Sequence, residues 1–334
     1  MTTPRILRVH PLAGVEGGRV TILGEGLCKP GGELPSPHFE GIETRPLMVS
    51  STRMVVPIPE GAPSGFIRVV WPDAVTQGPF FEVATKLADE LHPVANPVVD
   101  RQGHIITTFS GSRGQAAPNG VSVYRIAPDG GAEPHVSDLV NPTGLALDPD
   151  GVLFVSCRND GTIRRITPGG QAETFADGMG TATGIAYDAA GTLFVGDRTG
   201  GIFAVDRLGA VRRFAKLPAS VAAYHLAFGS DGDLYVTAPT LSNDDPIFRI
   251  SRLGSVTRFF SHLARPQGLS FDRDGNLFVV AIHRGERGIF RITQDGKAEL
   301  AVAGENLVGL TFDDRGRMII ASNNAIYRLG WTGG

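Results

Sequence analysis

Cysteine is nearly absent from this chain: Cys28 and Cys157 are the two in 334 residues. They fall in different halves, so no disulfide framework is expected, and a reducing compartment fits. An excess of one charge is missing too, with 31 Lys and Arg against 34 Asp and Glu. A balanced chain without a basic stripe argues against a nucleic-acid partner. No apolar run reaches membrane-spanning length, so no membrane is expected as a partner. The opening MTTPRILRVHPLAG has no apolar signal-peptide core, which points to the cytoplasm, with export not excluded.

Glycine (44) and proline (23) are plentiful, as many tight turns between short strands require. A phrase also recurs: apolar triplet, Asp, turn, Gly, second apolar run. It reads PTGLALDPDGVLFV at 142–155, ATGIAYDAAGTLFV at 182–195 and PQGLSFDRDGNLFV at 266–279. Weaker copies start near 95, 224 and 308, and the steps between copies are 48, 40, 41, 43 and 41 residues. Strand–turn–strand content at a period near 40 predicts a β-propeller with one blade per copy, hence six blades. Each blade should run A to D from the channel outward. The Asp-Gly turns, including Asp148, Asp150, Asp272 and Asp274, read as A–B hairpin chemistry rather than calcium ligands. Strand C has an echo of its own in VYRI, IRRI, IFRI, IFRI and IYRL.

Residues before about 85 lack the repeat. RVTIL and FIRVV alternate as half-buried strands, and Gly- and Pro-rich turns separate them, which suits a small β-sandwich. The last repeat has no strand D of its own. Residues 80–88 are therefore expected to close the ring against 326–331. FFEV (80–83) also reads as the final strand of the sandwich, so the closing strand can begin as late as Ala84.

Two resemblances accompany these readings. PRILRVHPLAGVEGGRVTILGEGL followed by STRMVVPIPEGAPSGFIRVVWPDAVTQGPFFEV resembles an IPT/TIG domain, an immunoglobulin-like sandwich that serves as a spacer or protein-contact module. NPVVD at 96–100 with PTG, ATG and PQG at the inner-strand starts resembles the NHL and senescence-marker-protein/gluconolactonase propellers over 90–334. The expected fold is all-β: a small immunoglobulin-like β-sandwich over 1–85, then a six-bladed β-propeller over 86–334.

In a propeller, the start of strand A and the residues just past strand B share one rim. The first set is Ala95, Thr143, Thr183, Tyr224, Gln267 and Val308. One residue later come Asn96, Gly144, Gly184, His225, Gly268 and Gly309. Residues past strand B include Cys157, Arg158, Asp197, Arg198 and Asn323. Asn96, Arg158, Arg198, Tyr224, Gln267 and Asn323 are the candidate ligand-binding groups. His225 stands where four copies carry Gly, so it is expected to fill space left open elsewhere. With Asp197 to orient it, His225 would be a candidate general base. Cys157 reads as a buried thiol and His283 as a loop residue. Segments 109–120 and 237–247 are candidates for a lid or contact surface.

The resemblance implies a divalent cation in the lactonases of the family, held by a Glu, an Asn and an Asp. The corresponding positions here are Ala95, Thr143 or Thr183, and Gln267. Without carboxylates a hard cation lacks its ligands. The leading expectation is a binding module for a small polar ligand or protein partner, with no cofactor and no metal. The alternative is a lactonase-like hydrolase or a lyase at His225 and Asp197, with a divalent metal as the alternative cofactor.

Overall fold

The structure, a computed structural model, describes residues 4–28, 33–109, 120–293 and 295–330. Among them every regular element is a strand. Among the described residues no helix is long and apolar enough to cross a membrane. The chain divides into two compact units. The first holds residues 1–85 with 284–291 and 298–306, and the second holds the remainder.

In the first unit, Arg19–Glu25 lies between Arg5–His10 and Arg53–Pro57, all antiparallel. A second group centres on Gly65–Trp71, flanked by Ser36–Phe39 and Ala74–Val83. Ala13–Gly14 runs parallel to Ala74–Val83 on one side and to Ala298–Ala303 on the other. The alternating residues of RVTIL and FIRVV supply the core. Val20, Ile22, Met54 and Val56 pack with Phe39, Ile67, Val69 and Phe81. The Phe39 and Phe81 rings meet edge to face at 5.2 Å, a geometry that adds to area burial.

In the second unit the 40-residue period becomes four-stranded antiparallel sheets. The second repeat is the pattern: Pro142–Leu147, Leu153–Cys157, Thr162–Ile166 and Ala172–Ala176, adjacent in that order. The first, third and fourth repeats follow it. In the fifth, Leu269–Phe271 pairs with Leu277–His283. The sixth contributes Leu307–Phe312, Met318–Ser322 and Ile326–Leu329, and Thr85–Ala88 is its fourth strand. The inner strands touch one another in chain order, and Leu307–Phe312 returns to Val98–Val99. Leu87 and Leu91 pack with Ile105 and Ile126 of the first repeat and Ile319 and Ile326 of the last.

Residues 80–83 thus belong to Ala74–Val83, and the closing strand starts at Thr85. One backbone edge cannot donate the same N–H groups to two sheets. Each A–B hairpin is held locally. Asp148 Oδ1, for example, accepts Asp150 N at 2.9 Å and Val152 N at 2.8 Å.

Candidate functional site

A cavity of about 660 Å³ opens where the inner strands begin. Its walls include Asn141, Thr143, Arg158, Thr183, Arg198, His225, Gln267 and Asn323. A second cavity, of about 190 Å³, is walled by the inner strands further along, from Ala95–Val98 to Thr311. Among the described residues His225 is the one that lines both.

Arg158 and Arg198 reach the wall because each follows directly on strand B of its repeat. Arg158 Nη2 donates to Asn141 Oδ1 at 3.3 Å. Asn141 is held at φ +52°, in the left-handed region that Asn tolerates better than most residues. The threonines between them are already committed. Thr183 Oγ1 donates to Gly196 O at 3.0 Å and accepts Tyr224 N at 3.1 Å. Thr143 Oγ1 donates to Asn141 O at 3.2 Å. Ser156 Oγ accepts Gly144 N at 2.8 Å and donates to Thr183 O. These bonds tie the second, third and fourth repeats together under the cavity. The wall also carries the guanidinium groups of Arg158 and Arg198, the amides of Asn141, Asn159, Gln267 and Asn323, Thr181 and the His225 imidazole.

His225 owes its place to a missing bulge. In the second and third repeats the A–B ladder slips between Pro142 and Leu145 and between Ala182 and Ile185. The slip presses Gly144 and Gly184 onto the next inner strand. A Cβ on Gly144 would lie 2.3 Å from Thr183 O, and one on Gly184 2.2 Å from Tyr224 O. The glycines therefore mark close contact, not the open space the repeat alignment suggests. In the fourth repeat the ladder is regular from His225↔Thr237 onward, and the strand carries a side chain. His225 is 3% exposed. No hydrogen bond to its ring is found among the described residues, and burial alone pushes its pKa down to about 4. The imidazole is neutral at pH 7, with one donor and one acceptor nitrogen.

Asp197 does not reach it. Its Oδ1 accepts Thr181 N and Thr199 N, both at 3.0 Å, and its Oδ2 accepts the Thr199 hydroxyl. The carboxylate shapes the loop after strand B. Tyr224 is fully buried and donates its hydroxyl to Pro218 O. Burial, then the charge of Asp197, raise its phenol to about 12. Asn96 lines the smaller cavity as a strut, donating to Leu269 O at 2.8 Å and accepting Leu310 N at 3.1 Å. Of the candidates, Arg158, Arg198, His225, Gln267 and Asn323 come together on the larger cavity, while Asn96, Asp197 and Tyr224 are not on its wall. Asn141, Asn159 and Thr181 line it without having been singled out; their place just before strand A or after strand B was the available signal. Neither cysteine forms a disulfide among the described residues. Burial raises the Cys157 thiol to about 11, so it carries no thiolate at neutral pH. The 237–247 insertion is pinned on itself through Thr240 and Asp245 and supplies no wall. Residues 110–119 of the other candidate lid lie outside the described residues.

The donor set does not fit a divalent cation. Among the described residues no carboxylate lines either cavity, and two hydroxyls are spent on backbone. Among the described residues no three His, Cys, Asp or Glu gather as metal ligands. A hard cation would face amides, an imidazole and two positive charges.

Residues 64–240 match the family model described as the SMP-30/Gluconolactonase/LRE-like region. A search of curated proteins found no match. Among solved structures, an auxiliary nutrient binding protein from Bacteroides thetaiotaomicron is 13% identical, with a TM-score of 0.57 over 98% of this chain and 97% of that one. A gluconolactonase from Xanthomonas campestris is 18% identical, with a TM-score of 0.60 over 73% and 88%. A catalytically inactive histidine-to-alanine variant of virginiamycin B lyase from Staphylococcus aureus, with quinupristin, is 20% identical, with a TM-score of 0.52 over 74% and 87%. At these identities the likeness establishes an all-β, propeller-like fold.

Proposed function

We propose that this chain, which belongs to the SMP-30/gluconolactonase/LRE-like family, binds a small anionic, polar ligand at the mouth of a six-bladed propeller. An immunoglobulin-like sandwich of the IPT/TIG kind serves it as a spacer or second contact. One observation carries the reading: the 660 Å³ cavity presents Arg158 and Arg198 with the amides of Asn141, Gln267 and Asn323 and, among the described residues, no carboxylate. Paired guanidinium groups select carboxylates, and amides select hydroxyls. Polyhydroxy carboxylates satisfy both.

The test is calorimetric titration with aldonic and uronic acids beside their neutral parent sugars. An acid is expected to bind, and the Arg158→Ala/Arg198→Ala pair to weaken it at least about tenfold. Binding of the neutral sugars alone, or of none, would overturn the reading.

A second reading rests on His225. Its buried, neutral imidazole bounds the cavity with no described partner. It can accept a proton in a metal-independent lactone hydrolysis or elimination, with Arg158 and Arg198 holding the anion that forms. A lactone and ester screen decides it. Turnover that survives a chelator and is lost in His225→Ala supports catalysis, and no turnover leaves binding alone.

A further inference from the structure

A third cavity, of about 510 Å³, lies between the third and fourth repeats at the A–B hairpin end. One residue sets the third repeat apart from the others. Strand C carries Arg in five of six repeats, as Arg125, Arg165, Arg249, Arg291 and Arg328, and Ala204 in the third. In the first and fourth repeats this arginine meets hairpin carboxylates, while Arg328 of the sixth donates to Pro128 O. Arg125 Nη2 donates to Asp100 Oδ2 at 2.7 Å. Arg249 Nε donates to Asp233 Oδ2 at 2.7 Å, and its guanidinium lies 6.0 Å from the Tyr235 ring centre.

The third repeat keeps the surroundings and omits the guanidinium. Ala204 pairs directly with Phe194 on one side and Arg212 on the other, so all three face the same way. Phe194 and Arg212 line the cavity. Phe194 also meets Phe214 at 4.9 Å and Phe228 at 5.2 Å, giving an aromatic wall. Asp188 accepts two N–H groups of its own hairpin, at 2.9 and 2.8 Å. Among the described residues no cationic side chain pairs with it. In the second repeat Arg165 stays in the row, and the cavity there is about 320 Å³. Arg212 and Arg252 bring two positive charges to the wall of the larger one.

We propose that this cavity binds a free guanidino acid of the arginine type, its guanidinium on Phe194 and Asp188 and its carboxylate at Arg212 and Arg252. Aromatic faces and a carboxylate are the partners of a planar cation, and guanidinium forks match a carboxylate. The volume lies within the range of small-molecule sites. The site is separate from the mouth cavity and does not depend on what binds there.

The test is calorimetric titration of the full chain with L-arginine and with agmatine, which lacks the carboxylate. Arginine is expected to bind one to one, and agmatine at least about tenfold more weakly. Ala204→Arg fills the site from within and should abolish binding. Asp188→Asn keeps the hairpin acceptor and removes the charge, and should weaken binding about tenfold or more. Absence of arginine binding at millimolar concentration overturns the proposal. So does binding that persists in both variants, and loss of that persistent binding in Arg158→Ala/Arg198→Ala would place it at the mouth instead.

Discussion

The inner strands of the third and fourth repeats carry Gly184 and His225 at the same repeat position, and the backbone around them differs more than the residues do. Around Gly184 the ladder slips and the strand leans on Tyr224. Around His225 the ladder is unbroken. A glycine repeated at one position can thus mark contact as well as vacancy. A side chain there requires a different strand, not just a different residue. Gly184→Ala puts this to its hardest use. The added Cβ would meet a backbone oxygen at 2.2 Å, which no rotamer relieves. The expected loss is about 3 kcal/mol or more, read from urea unfolding. A loss below about 1 kcal/mol would mean the third strand relaxes readily into the form of the fourth, and the contrast would dissolve.

The same contrast has a pH signature. Burial holds the folded-state pKa of His225 near 4, against 6.5 for the free side chain. The unfolded chain therefore takes up a proton as pH falls below 6.5, while the folded chain resists until about 4. Stability from this residue is fully present above pH 6.5 and is lost on the way down to 4. Between pH 7 and pH 5 the loss is about 2 kcal/mol. His225→Leu should remove that slope, and the difference between the two proteins' unfolding curves at the two pH values isolates it. An identical slope in the variant would mean that solvent in the channel reaches the ring well enough to protonate it in the folded state.

What the sequence made legible was local. Asp148, Asp188 and Asp272 each bind N–H groups two and four residues ahead, so the hairpin is written within one short stretch. The period and the strand pairs follow from it. Arg158 and Arg198 were legible as wall residues because the end of strand B is fixed by the same count. The register slips were hidden, since they come from packing between repeats far apart in the chain. So was the use of Asp197: a carboxylate at the end of a strand reads alike whether it orients a histidine or caps its own loop. The grouping of residues 284–291 and 298–306 with the N-terminal unit was also invisible. Contacts at that sequence distance leave no mark on local periodicity.

The gaps after the second and third repeats give the mildest comparison. In one, Arg165 stands between Phe154 and Glu173 across the strands; in the other, Ala204 stands between Phe194 and Arg212. Ala204→Arg would restore the row and bring a guanidinium to Asp188 and the Phe194 face. The gain is small. The equivalent Arg249 side chain is 42% exposed, so solvent screens the ion pair, and the neighbouring charge of Arg212 opposes it. About 0.5 kcal/mol, or ~1–2 °C in Tm, is expected. A rise of that size shows that the cavity is the imprint of the missing arginine. A fall shows that Arg212, one strand further out, has already taken over its role, and that the third repeat has moved its positive charge instead of losing it.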